Sequence, residues 1–126
     1  MIEDDEALSR FVLQSSHIRK TSGTVKPDAF IPHPHSKLSV TRHQGFSSHQ
    51  VWQAGVEVAS QTRKTLHGRA DTAACIYYQQ NLSATEAPVP RNENHVNIDG
   101  WPTGKPEQKI VALEIAAEST FLPREG

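Results

Sequence analysis

Apolar and polar positions along the chain fall into three blocks, separated by two proline clusters at residues 27–34 and 88–90. In the first block Ala7, Leu8, Phe11 and Val12 recur at i, i+1, i+4 and i+5, the stripe of an amphipathic helix. Asp4 and Asp5 supply acceptors and negative charge suited to a helix start, so a helix is expected from there to about residues 15–17. Residues 19–24 form a polar turn. Residues 25–35 carry three prolines and are expected to be irregular.

The second block opens with a strand pattern. Leu38 and Val40 alternate with Ser39 and Thr41, and Arg42 follows. Ser47 with Gln50 three residues later is a capping box, and Phe46 with Val51 is a hydrophobic staple. Both mark the start of a helix over about 48–62, whose buried stripe would hold Val51, Trp52, Gly55, Val58 and Ala59. Glycine in mid-helix costs about 1 kcal/mol against alanine, which implies a close approach at Gly55. Residues 66–70 read as a connector or short strand. Asp71 is placed to cap a helix over 72–80, with Asn81 as its left-handed C-terminal residue.

In the third block residues 82–89 are extended without clear alternation. His95, Val96, Asn97 and Ile98 alternate as a short strand, and Asp99-Gly100 is a turn. A last helix starts near Pro106, and Ile110, Val111, Leu113, Ile115, Ala116 and Ala117 cover more than one of its faces. That helix is expected to be well buried or to lie at an interface. Residues 120–126 read as a loose tail. The sum is a small single α+β domain over residues 1–126, with about four helices and a few short strands. Its shared interior would come from Phe11, Val40, Trp52, Ile98 and the 110–115 run.

Composition narrows the function classes. The chain has 126 residues, a net charge of -1 and 36% hydrophobic residues. A mean hydropathy of -0.56 is polar, but so low a net charge does not oppose collapse. A nucleic-acid binder would be visibly basic, so the charge argues against one. One cysteine, Cys75, rules out an internal disulfide and a cysteine-rich zinc site. The acidic start lacks the features of a secretory signal, and no apolar run has bilayer-spanning length, so a cytoplasmic location is expected.

No phosphate-binding loop, dinucleotide fingerprint, HExxH or GxSxG motif occurs in the chain. Four constellations remain. His33 and His35 could converge in an extended segment, but two histidines do not close a coordination shell, and neither a metal nor a cofactor is expected. Arg42 and His43, followed by the helix start at Ser47, could form an anion pocket from a guanidinium fork and free amides; the alternative is an ion pair beside a cap. Arg69 and Asp71 could bind substrate, or serve as an ion pair and a cap. His95, Asn97, Asp99 and Trp101 could project together, with His95 and Asp99 in acid–base roles and Trp101 stacking on a ligand; the alternative is a turn with Trp101 as a core plug.

The segments Val25-Lys26-Pro27, Leu38-Ser39-Val40-x-Arg42, Trp52, Gly68-Arg69-Ala70-Asp71 and Asn97-Ile98-x-Gly100-Trp101-Pro102 together resemble a group of small uncharacterised bacterial proteins. The resemblance implies a bacterial, intracellular, stand-alone domain and carries no activity, cofactor or site residue. Two functions from different classes follow. One is a binding or interaction protein with a protein partner or a homo-oligomeric contact on the last helix. The other is a small enzyme or sensor for a nucleotide or other phosphorylated ligand, which requires Arg42, Arg69, His95 and Asp99 to share one cleft.

Overall fold

The computed structural model describes residues 2–32 and 35–124. His33, and with it the His33/His35 pair, lies outside the described residues. The strands, in chain order, are β1 (Ala7–Val12), β2 (Ile18–Arg19), β3 (Thr24–Val25), β4 (Leu38–Arg42), β5 (Gly68–Ala73), β6 (Ser83–Glu86), β7 (His95–Asp99) and β8 (Thr120–Pro123). The helices are α1 (Ser48–Thr62), α2 (Ala74–Gln79) and α3 (Lys105–Glu118). Six strands form one antiparallel sheet in the order β6-β7-β4-β1-β5-β8, and β2 with β3 forms a separate ribbon. The architecture is α+β, with three α-helices among the described residues rather than about four.

The missing helix is β1. Its even positions, Leu8 and Val12, join the core cluster that contains Val40, Tyr77, Val96, Ile98 and Ile115. Its odd position Phe11 joins a second cluster with Val51, Ala54, Ala59 and Leu66. The strand therefore sits between two layers, α1 on one face and α2, α3 and the 3-10 turn Pro27–Phe30 on the other. A strand covered on both faces carries apolar residues at both parities, and that pattern imitates a helical stripe. The expected common interior is accordingly divided. Phe11 and Trp52 lie on the α1 side and Val40, Ile98 and Ile115 on the other. Ile110 is 67% exposed and Leu113 53%, so only Ala112, Ile115 and Ala116 of the apolar run in α3 are buried.

Two further expectations are corrected. Residues 120–123 are not a tail: β8 pairs with β5 from Asp71↔Thr120 to Gly68↔Pro123. Proline suits this outermost position, where no further strand needs its amide. Asp71 is not a cap either, because it lies within β5, and α2 starts only at Ala74 after Ala73. The first amides of α2 are satisfied by the N-terminal segment, with Ala74 N–H donating to Glu6 O at 2.9 Å and Cys75 N–H to Asp4 O at 2.8 Å.

Local signals elsewhere match the structure. In α1 the Gln50 amide donates to Ser47 Oγ at 3.2 Å and the Ser47 amide to Gln50 Oε1 at 2.8 Å, which completes the capping box. Asn81 is left-handed at φ 63°, as is Gly100 at φ 96°. Among the described residues no helix is long and apolar enough to cross a membrane.

Gly55 lies where α1 meets β1. A Cβ there would stand 2.8 Å from the Phe11 ring and 3.1 Å from Leu66 Cδ2. Gly55→Ala should therefore destabilise the fold, since overpacking costs about 1–3 kcal/mol and outweighs the roughly 1 kcal/mol gain in helix propensity. A denaturant melt with an unchanged or raised midpoint would contradict this packing.

Candidate functional site

The register places one row of polar residues across five strands. Thr120, Asp71, Ser9, Thr41 and His95 stand directly opposite one another on β8, β5, β1, β4 and β7. Opposed residues in an antiparallel sheet share a face, and Phe11 and Arg69 share this one, so the row faces α1. At its centre Ser9 is 0% exposed. Its hydroxyl donates to Asp71 Oδ1 at 2.5 Å and lies 2.7 Å from His43 Nε2. An ionised carboxylate only accepts, so the single Ser9 proton is directed at Asp71 and His43 donates from Nε2.

His43 is kept mainly neutral by its surroundings. Desolvation lowers its pKa from 6.5, Arg69 adds to the effect, and Asp71 and Glu6 oppose it. Together Ser9, His43 and Asp71 do not form a nucleophilic triad. In a triad the histidine stands between serine and carboxylate and takes the serine proton. Here the serine stands between the other two, is sealed from solvent and donates its hydrogen bond to the carboxylate. The arrangement orients Asp71.

Asp71 in turn faces Arg69. Arg69 Nε lies 3.3 Å from Asp71 Oδ1, with the arginine side chain 7% exposed. That is an ion pair without hydrogen-bond alignment, and neither Nε nor Nη1 makes a hydrogen bond among the described residues. The guanidinium lies over Trp52, with Cζ 4.8 Å from the ring centroid. Such stacking contributes about 0.5–2 kcal/mol and fixes the plane of the fork. Nε and Nη1 are both sealed from solvent, and leaving a buried donor unpaired costs about 1–3 kcal/mol, so the pairing of this guanidinium is incomplete.

An opening of about 550 Å³ adjoins this pair. Arg69, Arg124, Ser48 and His49 form its polar wall, and Trp52, Val56, Leu122 and Pro123 its apolar wall. The volume is within the range usual for small-molecule sites, about 300–1,000 Å³.

The structure brings three of the expected site residues together, namely His43, Arg69 and Asp71. The others stand elsewhere. Arg42 lies on the opposite face of the sheet, where Nε and Nη2 donate to the two Glu6 carboxylate oxygens at 2.8 and 2.7 Å and Nη1 meets Glu86 Oε1 at 2.7 Å. Its fork is occupied by carboxylates, which lowers the Glu6 pKa in return. Ser47 caps α1. His95 Nδ1 lies 2.8 Å from Ala87 O, an acceptor, and therefore donates to it. Asp99 meets Lys37 at 4.0 Å. His95 and Asp99 share a face but are four strand residues apart, roughly 13 Å, beyond the reach of a shared proton. Trp101 packs against the core on the other side, its indole N–H donating to Ile98 O at 2.9 Å. Arg42, Arg69, His95 and Asp99 thus occupy no common cleft.

Three participants were not singled out as site residues from sequence. Ser9 was hidden in the presumed first helix, Trp52 was assigned to a buried stripe, and Arg124 to a tail. A strand assignment for residues 7–12 would have placed Ser9 beside Phe11 on one face. Among the described residues no cluster of three or more metal-ligating side chains occurs. No family model, curated protein or solved structure matches the chain.

The pH behaviour of His43 tests the network. Its folded pKa is below the unfolded value near 6.5, so its contribution to stability is present above 6.5 and is lost as pH falls through the folded pKa. His17, lowered chiefly by desolvation, acts in the same window. Stability measured at stepped pH should decline below 6.5 in the wild type and less steeply in His43→Gln. A His43 pKa at or above 6.5 by NMR would contradict the assignment.

Proposed function

We propose that the chain is a small-molecule binding domain whose cleft beside Trp52 takes a ligand with an anionic group and an apolar body. The observation that carries this reading is Arg69, a cleft-lining arginine more than nine-tenths buried and stacked on Trp52, whose one ion pair among the described residues is the misaligned contact with Asp71. Arg124 adds a second cation to that wall, and the first-turn residues Ser48 and His49 stand at the positive end of α1. Trp52, Val56 and Leu122 supply apolar contact for the rest of the ligand. A phosphate fits the arginine fork by geometry and charge. The sensor reading thereby keeps its phosphorylated ligand but moves to the cleft of Arg69, Arg124 and Trp52, with Asp71 and His43 behind Arg69. Binding is favoured over turnover because the one hydroxyl of the network, Ser9, is sealed and committed to Asp71.

The interaction-domain reading has one supporting feature, the exposed Ile110 and Leu113 on α3. Two exposed side chains fall short of the contiguous patch of several hundred Å² that marks a docking surface, so this reading ranks second. Membership in the bacterial group and a cytoplasmic setting are compatible with either role.

Fluorescence provides the test. In a Trp101→Phe background Trp52 is the sole indole. Titration with adenosine monophosphate and with phenyl phosphate should give saturable quenching by at least one of them. Arg124→Ala and Arg69→Lys should each weaken that binding at least tenfold, equivalent to about 1.4 kcal/mol. Absence of saturation with both probes at millimolar concentration, or unchanged affinity in both variants, would overturn the proposal.

A further inference from the structure

A second cleft lies where β1 ends, β4 begins, α1 ends and α3 begins. Its volume is about 540 Å³, and Arg10, Lys37, Lys64 and Lys105 line it. Asp28 is the single carboxylate among its described lining residues. Four cations have gathered here in a chain whose net charge is -1.

The charges are largely uncompensated. Arg10 is held rigidly, Nε donating to Ala29 O at 2.8 Å and Nη1 to Ser39 O at 3.0 Å, but both acceptors are neutral carbonyls. Among the described residues no carboxylate forms an ion pair with Arg10, Lys64 or Lys105. Lys37 reaches Asp99 only at 4.0 Å and is well exposed. His17, in the same wall, registers the field: desolvation lowers its pKa first, and Arg10, Lys26 and Lys64 lower it further against the pull of Asp28. Like charges converging on one concave surface focus a positive potential that an anion relieves.

We propose that this cleft is a separate binding site for a small molecule carrying two or more phosphate groups. Lysine ammonium groups serve as mobile point charges for phosphate, and Arg10 provides a fixed one at the floor. A single-stranded nucleic acid is the less fitting occupant. Its binding relies on aromatic side chains for base stacking, and the described lining holds no Phe, Tyr or Trp.

Inorganic pyrophosphate is the probe, with orthophosphate and a twenty-nucleotide single strand as comparisons, all by titration calorimetry at low salt. Wild type should bind pyrophosphate at least tenfold more tightly than orthophosphate, with affinity falling as salt is raised. The variant Lys64→Ala/Lys105→Ala, altered at two exposed positions, should lose at least tenfold in pyrophosphate affinity. Arg124→Ala should retain it, which separates this site from the cleft beside Trp52. His17 ring signals in NMR should move with pyrophosphate in wild type and not in the double variant. No pyrophosphate binding, equal affinity in the double variant, or oligonucleotide binding tighter than pyrophosphate would each overturn the proposal.

Discussion

Burial of β1 on both faces is the constraint from which the rest of the molecule follows. The strand pairs with β4 on one side and β5 on the other, and gives Leu8 and Val12 to one apolar layer and Phe11 to the other. A strand in that position has no face to spare for solvent. Any polar side chain on it must find a partner within the protein, because an unpaired buried hydroxyl or amide costs several times what a hydrogen bond adds. Ser9 meets that demand with Asp71 and His43, and Arg10 with two backbone carbonyls. Both candidate clefts therefore have their most rigid members anchored, directly or through one bond, to the same central strand.

Two buried ionic groups occupy opposite faces of the sheet, and they differ in completeness. Around Arg42 the bidentate Glu6 carboxylate, with Glu86 beyond it, satisfies the guanidinium and ties the N-terminal segment to β4. That segment also caps α2 through backbone carbonyls and receives the Tyr78 hydroxyl at Ile2 O. Such a complete pair does structural work, since its donors are directed inward and its charge is neutralised. Around Arg69 the pairing is partial. One misaligned carboxylate and one aromatic face support the guanidinium but leave N–H groups without acceptors. This difference in hydrogen-bond completeness, more than the presence of an arginine, is what separates a structural group from a candidate binding group.

Charge distribution tells the same story at larger scale. A net charge near zero excludes a uniformly basic surface, but it is an average over the molecule. Arg69 and Arg124 stand at one opening and Arg10, Lys37, Lys64 and Lys105 at another. Low-dielectric walls around a concave cationic surface concentrate the local field whatever the overall balance. The two openings also differ in character. One combines cations with Trp52, Val56 and Leu122, and the other combines them with little apolar surface beyond Ile31, Pro32 and Leu38.

The sequence by itself determined those elements whose signals are local. The capping box at Ser47 and Gln50, the alternation of β4 and β7, the turn at Gly100 and the left-handed Asn81 are all specified within four or five residues. Gly55 even announced a close approach before Phe11 was known to be its cause. Tertiary structure alone decided β1, β8 and the extension of β5 through Ala73. Burial on both faces erased the alternation of β1, and Gly68–Ala73 is mostly small and charged, with Thr72 its single β-branched residue and no aromatic side chain. β8 is a strand only because β5 offers it an edge. Arg69, Asp71 and His43 are legible as candidates, but their assembly with Ser9 and Trp52 is not, for the same reason. Ser9 meets His43 across 34 residues and Asp71 across 62, contacts that exist only once non-local pairing has set the register.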